Sequence, residues 1–250
     1  ASVSHAFNAM SATLQDYMER AVRIEKLAVL GEFATGVAHE IRNPLAAIKT
    51  SVQALARREQ EPRRLRLLAD MDGEIDRLAG VVSDLVDFGR PRPPKRDFTP
   101  VREVFQRIVT MVETEAVSRG VQISWQGDTE LALYVDRDQL LQIILNLTLN
   151  ALHATPVGGA VVLRASLHAG MVALEVSDTG CGIAAELLDR VSDPFFTTKT
   201  KGVGLGLSIS HQLCEMNGGR MSIDSGPGQG TVVRIVFPGE TNQHADDPDY

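Results

Sequence analysis

The sequence predicts two unlike parts: an all-helical hairpin, then an α/β layer in which one mixed sheet is covered on one face by helices. Three observations carry this. Apolar residues recur at steps of three and four through the first third of the chain, which is the period of amphipathic helices. A stiff stretch, Pro91-Arg92-Pro93-Pro94, then interrupts the pattern. Beyond it, short alternating segments and longer helical ones take turns, the signature of a layered sheet-and-helix domain.

In order, Met10, Leu14, Tyr17, Ala21 and Ile24 form a first coiled-coil seam. A second seam runs Leu27, Gly31, Ala34, Ala38, Ile41, Leu45, Ile48, Val52 and Leu55. Joining them takes two consecutive three-residue steps near Ile24, a local phase slip, unless the frame is offset by one position. Pro44 removes an N–H and crowds the turn before it, so a bend is expected just after His39. The stretch 59–62 breaks the pattern, with Pro62 suited to a first helical turn. A third seam follows through Leu68, Met71, Ile75, Leu78, Val82 and Leu85. A single hairpin has too little core to stand alone, so two copies are expected to pair as a four-helix bundle, making a homodimer.

The organisation expected is therefore a signalling coiled coil at 1–25, a dimerisation hairpin at 26–90, a linker at 91–96, a second domain at 97–239 and a polar, acidic, disordered tail at 240–250. Within the second domain, helical patterns cover 101–119, 138–154 and 205–217. Strand patterns cover 121–125, 131–135, 160–167, 171–177, 220–224 and 231–237, with a hairpin turn at Ala169-Gly170.

A net charge of −7 argues against nucleic-acid binding driven by bulk charge, and the arginine clusters at 57–58, 63–66 and 90–96 read as solvated helix ends and linker. Two cysteines, Cys181 and Cys214, give no disulfide framework and point to a reducing compartment. No run of about 18 apolar residues is long enough to span a membrane, and there is no signal peptide. The chain opens on Ala1 in periodic sequence, as a fragment lacking its N-terminal part would.

Five motifs carry chemistry. In Gly36-Val37-Ala38-His39-Glu40-Ile41-Arg42-Asn43-Pro44-Leu45 an imidazole stands beside a carboxylate on a helix flank. A carboxylate that holds Nδ1–H leaves Nε2 as a nucleophile for phosphoryl groups; an ordinary helix surface carries such pairs as well. A zinc-protease reading fails, because Asn43 stands where the second histidine is required. Asn146 and Asn150 share one face of an otherwise apolar helix and can present carbonyl oxygens to Mg²⁺, or simply bind backbone. His153, one turn on, is placed to touch phosphate or to lie on the helix surface.

Asp178-Thr179-Gly180-Cys181-Gly182-Ile183 follows a strand. Its carboxylate can accept from an exocyclic amine such as adenine's, and its glycines admit a flat ring, although bare DxGxG turns are common. Gly202-Val203-Gly204-Leu205-Gly206-Leu207 opens a helix whose free N–H groups suit polyphosphate; it is neither a Rossmann fingerprint nor a P-loop. Between these lies Asp193-Pro194-Phe195-Phe196-Thr197-Thr198-Lys199-Thr200-Lys201, a polar loop with two exposed phenylalanines that reads as a mobile lid, or as a surface loop with an apolar anchor. Gly228-Gln229-Gly230-Thr231 is placed to close the far side of the base pocket.

In this order and spacing, HEIRNPL, NLTLNA, DTGCGI, DPFFTTK and GVGLGL resemble the motifs of bacterial two-component sensor histidine kinases over residues 26–239. The Arg-Asn-Pro after His-Glu resembles the nitrogen-regulator-type subgroup. The stretch around Phe7-Asn8-Ala9-Met10 resembles the last helix of a HAMP module, implying a sensor anchored upstream in the bacterial inner membrane. The resemblance implies that 26–90 is the dimerisation and phosphotransfer domain and 97–239 a Bergerat-type ATP-binding sandwich.

It further implies that His39 is the phosphoacceptor, Glu40 its base, and Asn43 the residue that orients water during dephosphorylation of a partner. Asn150 is then the Mg²⁺ ligand with Asn146 in support, His153 lies near phosphate, and Asp178 binds the adenine amine. Gly180, Gly182, Ile183, Phe195, Lys199, Gly202, Gly204, Leu205, Gly206, Leu207 and Thr231 would shape the ATP pocket and lid, with Lys201 beside them. The implied cofactors are ATP and Mg²⁺, and the implied partner is a response-regulator receiver domain, docked near Arg42 and Lys49. Ser192-Asp193 departs from the family's usual Phe-Glu pair, which puts lid anchoring in doubt.

Overall fold

The computed structural model describes residues 41–89, 91–128, 130–199 and 203–239, with the side chains of Asp84 and Asp87 excepted. His39, Glu40, Gly202, Lys201, the first coiled-coil seam and the tail lie outside the described residues. The chain divides between Arg92 and Pro93 into two compact units.

The first unit is a helical hairpin. Helix α1 is continuous over 41–56, running through Pro44, and α2 spans Pro62–Gly89. Both N–H groups that lead into α2, those of Gln60 and Glu61, donate to the Glu59 carboxylate at 2.9 and 3.0 Å. These bonds, with Arg64 nearby, hold the Glu59 carboxyl below its usual range. Pro62 then occupies the first helical position, where its missing N–H costs nothing.

Val52, Ile75 and Val82 are buried, as the seams predict. Flanking them, Lys49 pairs with Asp76, and Gln53 Nε2 donates to Asp72 at 3.3 Å. Ile41, Ile48, Leu55, Met71 and Leu78, members of the same seams, stay exposed on this chain.

The second unit is built on a five-stranded sheet ordered β2-β4-β5-β7-β6, formed by Gln122–Gly127, Ala160–His168, Met171–Asp178, Thr231–Pro238 and Arg220–Ser225. Strand β2 runs parallel to β4, and the other pairings are antiparallel. The β4–β5 turn places Ala169 and Gly170 at φ of 50° and 74°, the two left-handed residues that such a tight hairpin requires.

The sheet register puts Val161, Asp178 and Thr231 in one row, and Leu163, Val176 and Val233 in the next row on the same face. Helices α3 (Val101–Arg119), α4 (Arg137–Ala154) and α6 (Gly206–Met216) pack on β2, β5 and β6 respectively. Their buried stripes include Phe105 and Ile108, Ile143 and Ile144, and Ile209. Burying a side chain of this size contributes about 1.5–3 kcal/mol.

The α4 start is fixed by polar groups. Asp136 caps it, its Oδ1 accepting from the N–H groups of Asp138 and Gln139, both at 3.0 Å, while its Oδ2 accepts from Lys95 N–H at 2.8 Å. Buried Asn217, just past α6, accepts from Asp136 N–H at 2.9 Å and donates to Gln139 Oε1 at 2.7 Å. This network ties the start of α4 to the end of α6.

One expectation needs correction. The strand at 131–135 does not join the five-stranded sheet. Instead β3 (Ala132–Val135) pairs antiparallel with β1 (Asp97–Pro100), a strand that the proline-flanked sequence hides, in a separate two-stranded ladder. A short α5, Ala185–Leu188, lies between β5 and α6. Among the described residues, no helix is long and apolar enough to cross a membrane.

Candidate functional site

The site lies where α4, the turn after β5 and the start of α6 converge. At its inner end is Asp178, the last residue of β5 and only 8% exposed. Its Oδ1 accepts from the N–H groups of Gly180 at 2.8 Å and Thr231 at 3.2 Å. Burial pushes the Asp178 carboxyl up, and these two bonds partly offset that.

The glycines around it are there for space. A Cβ at Gly180 would lie 2.6 Å from Ala154 O and 2.7 Å from Asp178 Oδ1. Gly182, at φ 68°, has no room either, since a Cβ there would overlap the Gly226 carbonyl. Ser225, which sequence reading missed, organises the far wall. Its hydroxyl accepts from Ile183 N–H at 2.9 Å, donates to Gly230 O at 2.8 Å and lies 3.0 Å from Thr231 Oγ1. Ile183, Gly230 and Thr231 are thereby brought to the same wall as Asp178.

The outer end is polar. Asn150 and Asn146 stand one turn apart on α4, and α6 begins opposite them. A Cβ at Gly206 would lie 3.9 Å from Asn150 Nδ2 and 4.0 Å from Asn146 Cγ. Asn146 Nδ2 reaches Gly206 O at 3.5 Å. No side chain caps α6, whose first turn contains Gly206 and half-buried Leu207, with buried Leu205 just before it. Such a helix start offers N–H groups to anions.

Asn150 Oδ1 accepts from the Lys199 ammonium at 2.9 Å, so that oxygen faces the site and already takes a cationic donor. Lys199 is exposed overall, but its ammonium end is withdrawn. Burial and then the charge of Arg119 push its pKa down. Among the described residues, no group of three His, Cys, Asp or Glu side chains is placed to hold a metal.

The two ends are continuous. Ala154 O, at the end of α4, accepts from Cys181 N–H at 3.2 Å, tying the Asp178–Ile183 turn to the helix that carries both asparagines. His153 does not point free into the site; its Nε2 lies 2.9 Å from Glu115 Oε1 on α3. In the loop at 193–199, exposed Phe195 adopts φ 65° and donates its N–H to Gly204 O at 3.0 Å, linking loop and glycine motif. A Cβ at Gly204, itself at φ 75°, would strike the Phe196 carbonyl.

The expectation of two exposed phenylalanines holds for Phe195 alone. Phe196 is half-buried, with the Arg190 guanidinium 4.8 Å above its ring. Asn43 lies exposed on α1 in the first unit. Of the cysteines, Cys181 is exposed in the turn, while buried Cys214 has its thiol pushed up to about 12 by burial and is inert.

Two family descriptions match the chain: "His Kinase A (phospho-acceptor) domain" over residues 29–94, and "Histidine kinase-, DNA gyrase B-, and HSP90-like ATPase" over 135–241. Among curated relatives, the sensor histidine kinase ZraS of Escherichia coli K12 is 38% identical over 90% of this chain and 48% of its own length. Sporulation kinase A of Bacillus subtilis is 33% identical over 92% of this chain and 39% of its own. The chain thus spans less than half the length of these relatives.

Among solved structures, full-length ShkA in complex with AMPPNP aligns with TM-score 0.73 at 26% identity, over 85% of this chain and 46% of that one. Histidine kinase ThkA in complex with response regulator protein TrrA aligns with TM-score 0.64 at 27% identity, over 91% of this chain and 67% of that one.

Proposed function

The chain belongs to the bacterial two-component sensor histidine kinases, and from that membership we propose that it phosphorylates His39 from Mg-ATP and passes the phosphoryl group to an aspartate of a response regulator. The observation that carries the ATP side is the buried Asp178. With Oδ1 held by two backbone N–H groups, its other oxygen is the acceptor for the adenine amine. The ring lies in the space kept open by Gly180 and Gly182, against Ile183 and Thr231. From there the triphosphate runs outward to Asn146, Asn150, Lys199 and the start of α6, with Phe195 and Gly204 in the covering loop.

The donor set fits Mg²⁺, which prefers oxygen ligands and keeps waters and phosphates in its shell. Asn150 would hold it through Oδ1, the oxygen that here accepts from an ammonium, and the ion would neutralise charge on the transferring phosphate. Glu40 orients the His39 imidazole and takes its Nδ1 proton as Nε2 attacks the γ-phosphorus. The Nε2–P bond forms as the bond to ADP oxygen breaks. Most of the rate enhancement comes from positioning and charge neutralisation. The receiver aspartate then displaces His39, and Asn43 orients water when the partner is dephosphorylated.

The exposed Ile41, Ile48, Leu55, Met71 and Leu78 support pairing of two hairpins into a homodimer. The second unit's family description also names gyrase- and HSP90-like ATPases, which hydrolyse ATP without a phosphoacceptor histidine. Substituting His39→Gln separates them: an ATPase would keep hydrolysing ATP, whereas the kinase loses all protein-bound label.

A further inference from the structure

One wall of the base pocket carries a chain of hydrogen bonds whose direction follows from the protons available. The sheet register sets Asp178, Thr231 and Ser225 side by side in one row across β5, β7 and β6. Thr231 N–H donates to Asp178 Oδ1 at 3.2 Å, and the Thr231 hydroxyl lies 3.0 Å from that of Ser225. Gly230, just before Thr231, passes so close to Asp178 that a Cβ there would strike the Asp178 carbonyl.

A serine hydroxyl has one proton to give and two lone pairs to receive with. The Ser225 proton goes to Gly230 O at 2.8 Å, and one of its lone pairs takes Ile183 N–H at 2.9 Å. Gly230 is buried, so turning that proton elsewhere would strip a donor from a buried carbonyl, which is costly. One lone pair of Ser225 remains for Thr231. The bond between the two hydroxyls therefore has Thr231 as its donor.

With its proton committed to Ser225, Thr231 Oγ1 has only lone pairs to offer, and among the described residues no donor reaches it. The second Asp178 oxygen is likewise an acceptor, since Oδ1 already takes the Gly180 and Thr231 N–H groups. Two neighbouring acceptors with no donor between them define what this row recognises. An amino group brings two N–H donors and satisfies both oxygens, directly or through one water. A carbonyl in its place brings none and sets lone pair against lone pair. A site whose buried polar groups are left unpaired rejects such an analogue far more strongly than an apolar pocket rejects a change of size.

We propose that Ser225 is a positioning residue for base selectivity: by taking the Thr231 proton it keeps the Thr231 oxygen an acceptor, so that the pocket prefers a purine bearing an amino group to one bearing a carbonyl at the same place. This rests on the ATP-site reading above and adds to it a residue outside the five motifs. Ser225 acts through Thr231 and need not touch the base.

The test is equilibrium titration of the full chain, in the presence of Mg²⁺, with ADP and separately with inosine diphosphate, which carries an oxygen where adenine carries its amine. In Ser225→Ala the Thr231 hydroxyl is released to rotate and donate, so inosine diphosphate should bind about tenfold tighter while ADP moves by less than about threefold. Adding Thr231→Val to Ser225→Ala should abolish that gain. Ser225→Thr keeps the hydroxyl and should leave both affinities within about twofold of the unsubstituted chain. Thr231→Val alone should weaken ADP by about fivefold and move inosine diphosphate by less than about twofold. A Ser225→Ala variant that gains nothing for inosine diphosphate overturns the proposal, because a merely structural serine would weaken both nucleotides alike. So does a gain that survives Thr231→Val or that appears in Ser225→Thr. If Ser225→Ala fails to fold, equal effects on the two nucleotides in Thr231→Val overturn it. Failure of the unsubstituted chain to bind ADP would instead overturn the ATP-site reading.

Discussion

At the scale of single residues, Asp178 concentrates the most consequence. Asp178→Asn keeps an oxygen for the Gly180 and Thr231 N–H groups but turns a donor toward the adenine amine. Nucleotide affinity should therefore fall by more than about tenfold with little change in unfolding free energy. Asp178→Ala should lose the same affinity and also about 1–3 kcal/mol of stability, read by urea denaturation, because two backbone donors are left unpaired. Equal stability of the two variants would contradict this division of labour. The pH dependence has a definite sign. Burial raises the folded pKa of Asp178 above its unfolded value, so its contribution to stability is full below the unfolded pKa and lost as pH rises through the folded one. Nucleotide binding runs the opposite way, needing the carboxylate. It should weaken as pH falls through a pKa above the ordinary aspartate range, and this dependence should vanish in Asp178→Asn. Gly180 makes the complementary point in space. Its would-be methyl meets Ala154 O and Asp178 Oδ1, so Gly180→Ala is expected to abolish nucleotide binding measured by calorimetry.

At the scale of elements, α1 and α2 of the hairpin have two kinds of apolar residue. Ile75 is buried within one chain, whereas Ile48 is 48% exposed. Ile75→Asp should unfold the hairpin and remove its helical circular dichroism. Ile48→Asp should convert dimer to monomer in sedimentation while leaving the second unit folded; a monomeric unsubstituted chain would count against the homodimer. In the second unit, Asn217→Ala should cost about 1–3 kcal/mol, since it strips partners from Asp136 N–H and Gln139 at the head of α4. These elements also show what a sequence reveals. The start of α3, the Ala169-Gly170 hairpin and the break before Pro62 were legible because each rests on local period or turn chemistry. Strand β1 was hidden by Pro94 and Pro100, and the pairing of β3 with it is a tertiary choice that no local pattern specifies. In the site, Asp178, Asn146 and Asn150 stood out because polar residues in apolar surroundings demand a reason. Ser225 did not, because a serine beside a turn looks like ordinary surface until the fold brings it to the pocket.

At the scale of the whole molecule, a hairpin with a phosphoacceptor stretch and a layered domain with an adenine and polyphosphate site make sense together only if a phosphoryl group passes between them. Neither half is informative alone. His39-Glu40 by itself matches many helix surfaces, and the pocket by itself matches the gyrase- and chaperone-like ATPases whose description the second unit shares. Their joint presence in one chain is what supports the proposed transfer from nucleotide to histidine. The most direct measurement is incubation of the chain with γ-labelled ATP and Mg²⁺, followed by acid and alkali treatment of the protein-bound label. The account predicts label that acid removes and alkali spares, absent from His39→Gln and from Asn150→Ala. Acid-stable label, or label that persists in His39→Gln, would contradict it.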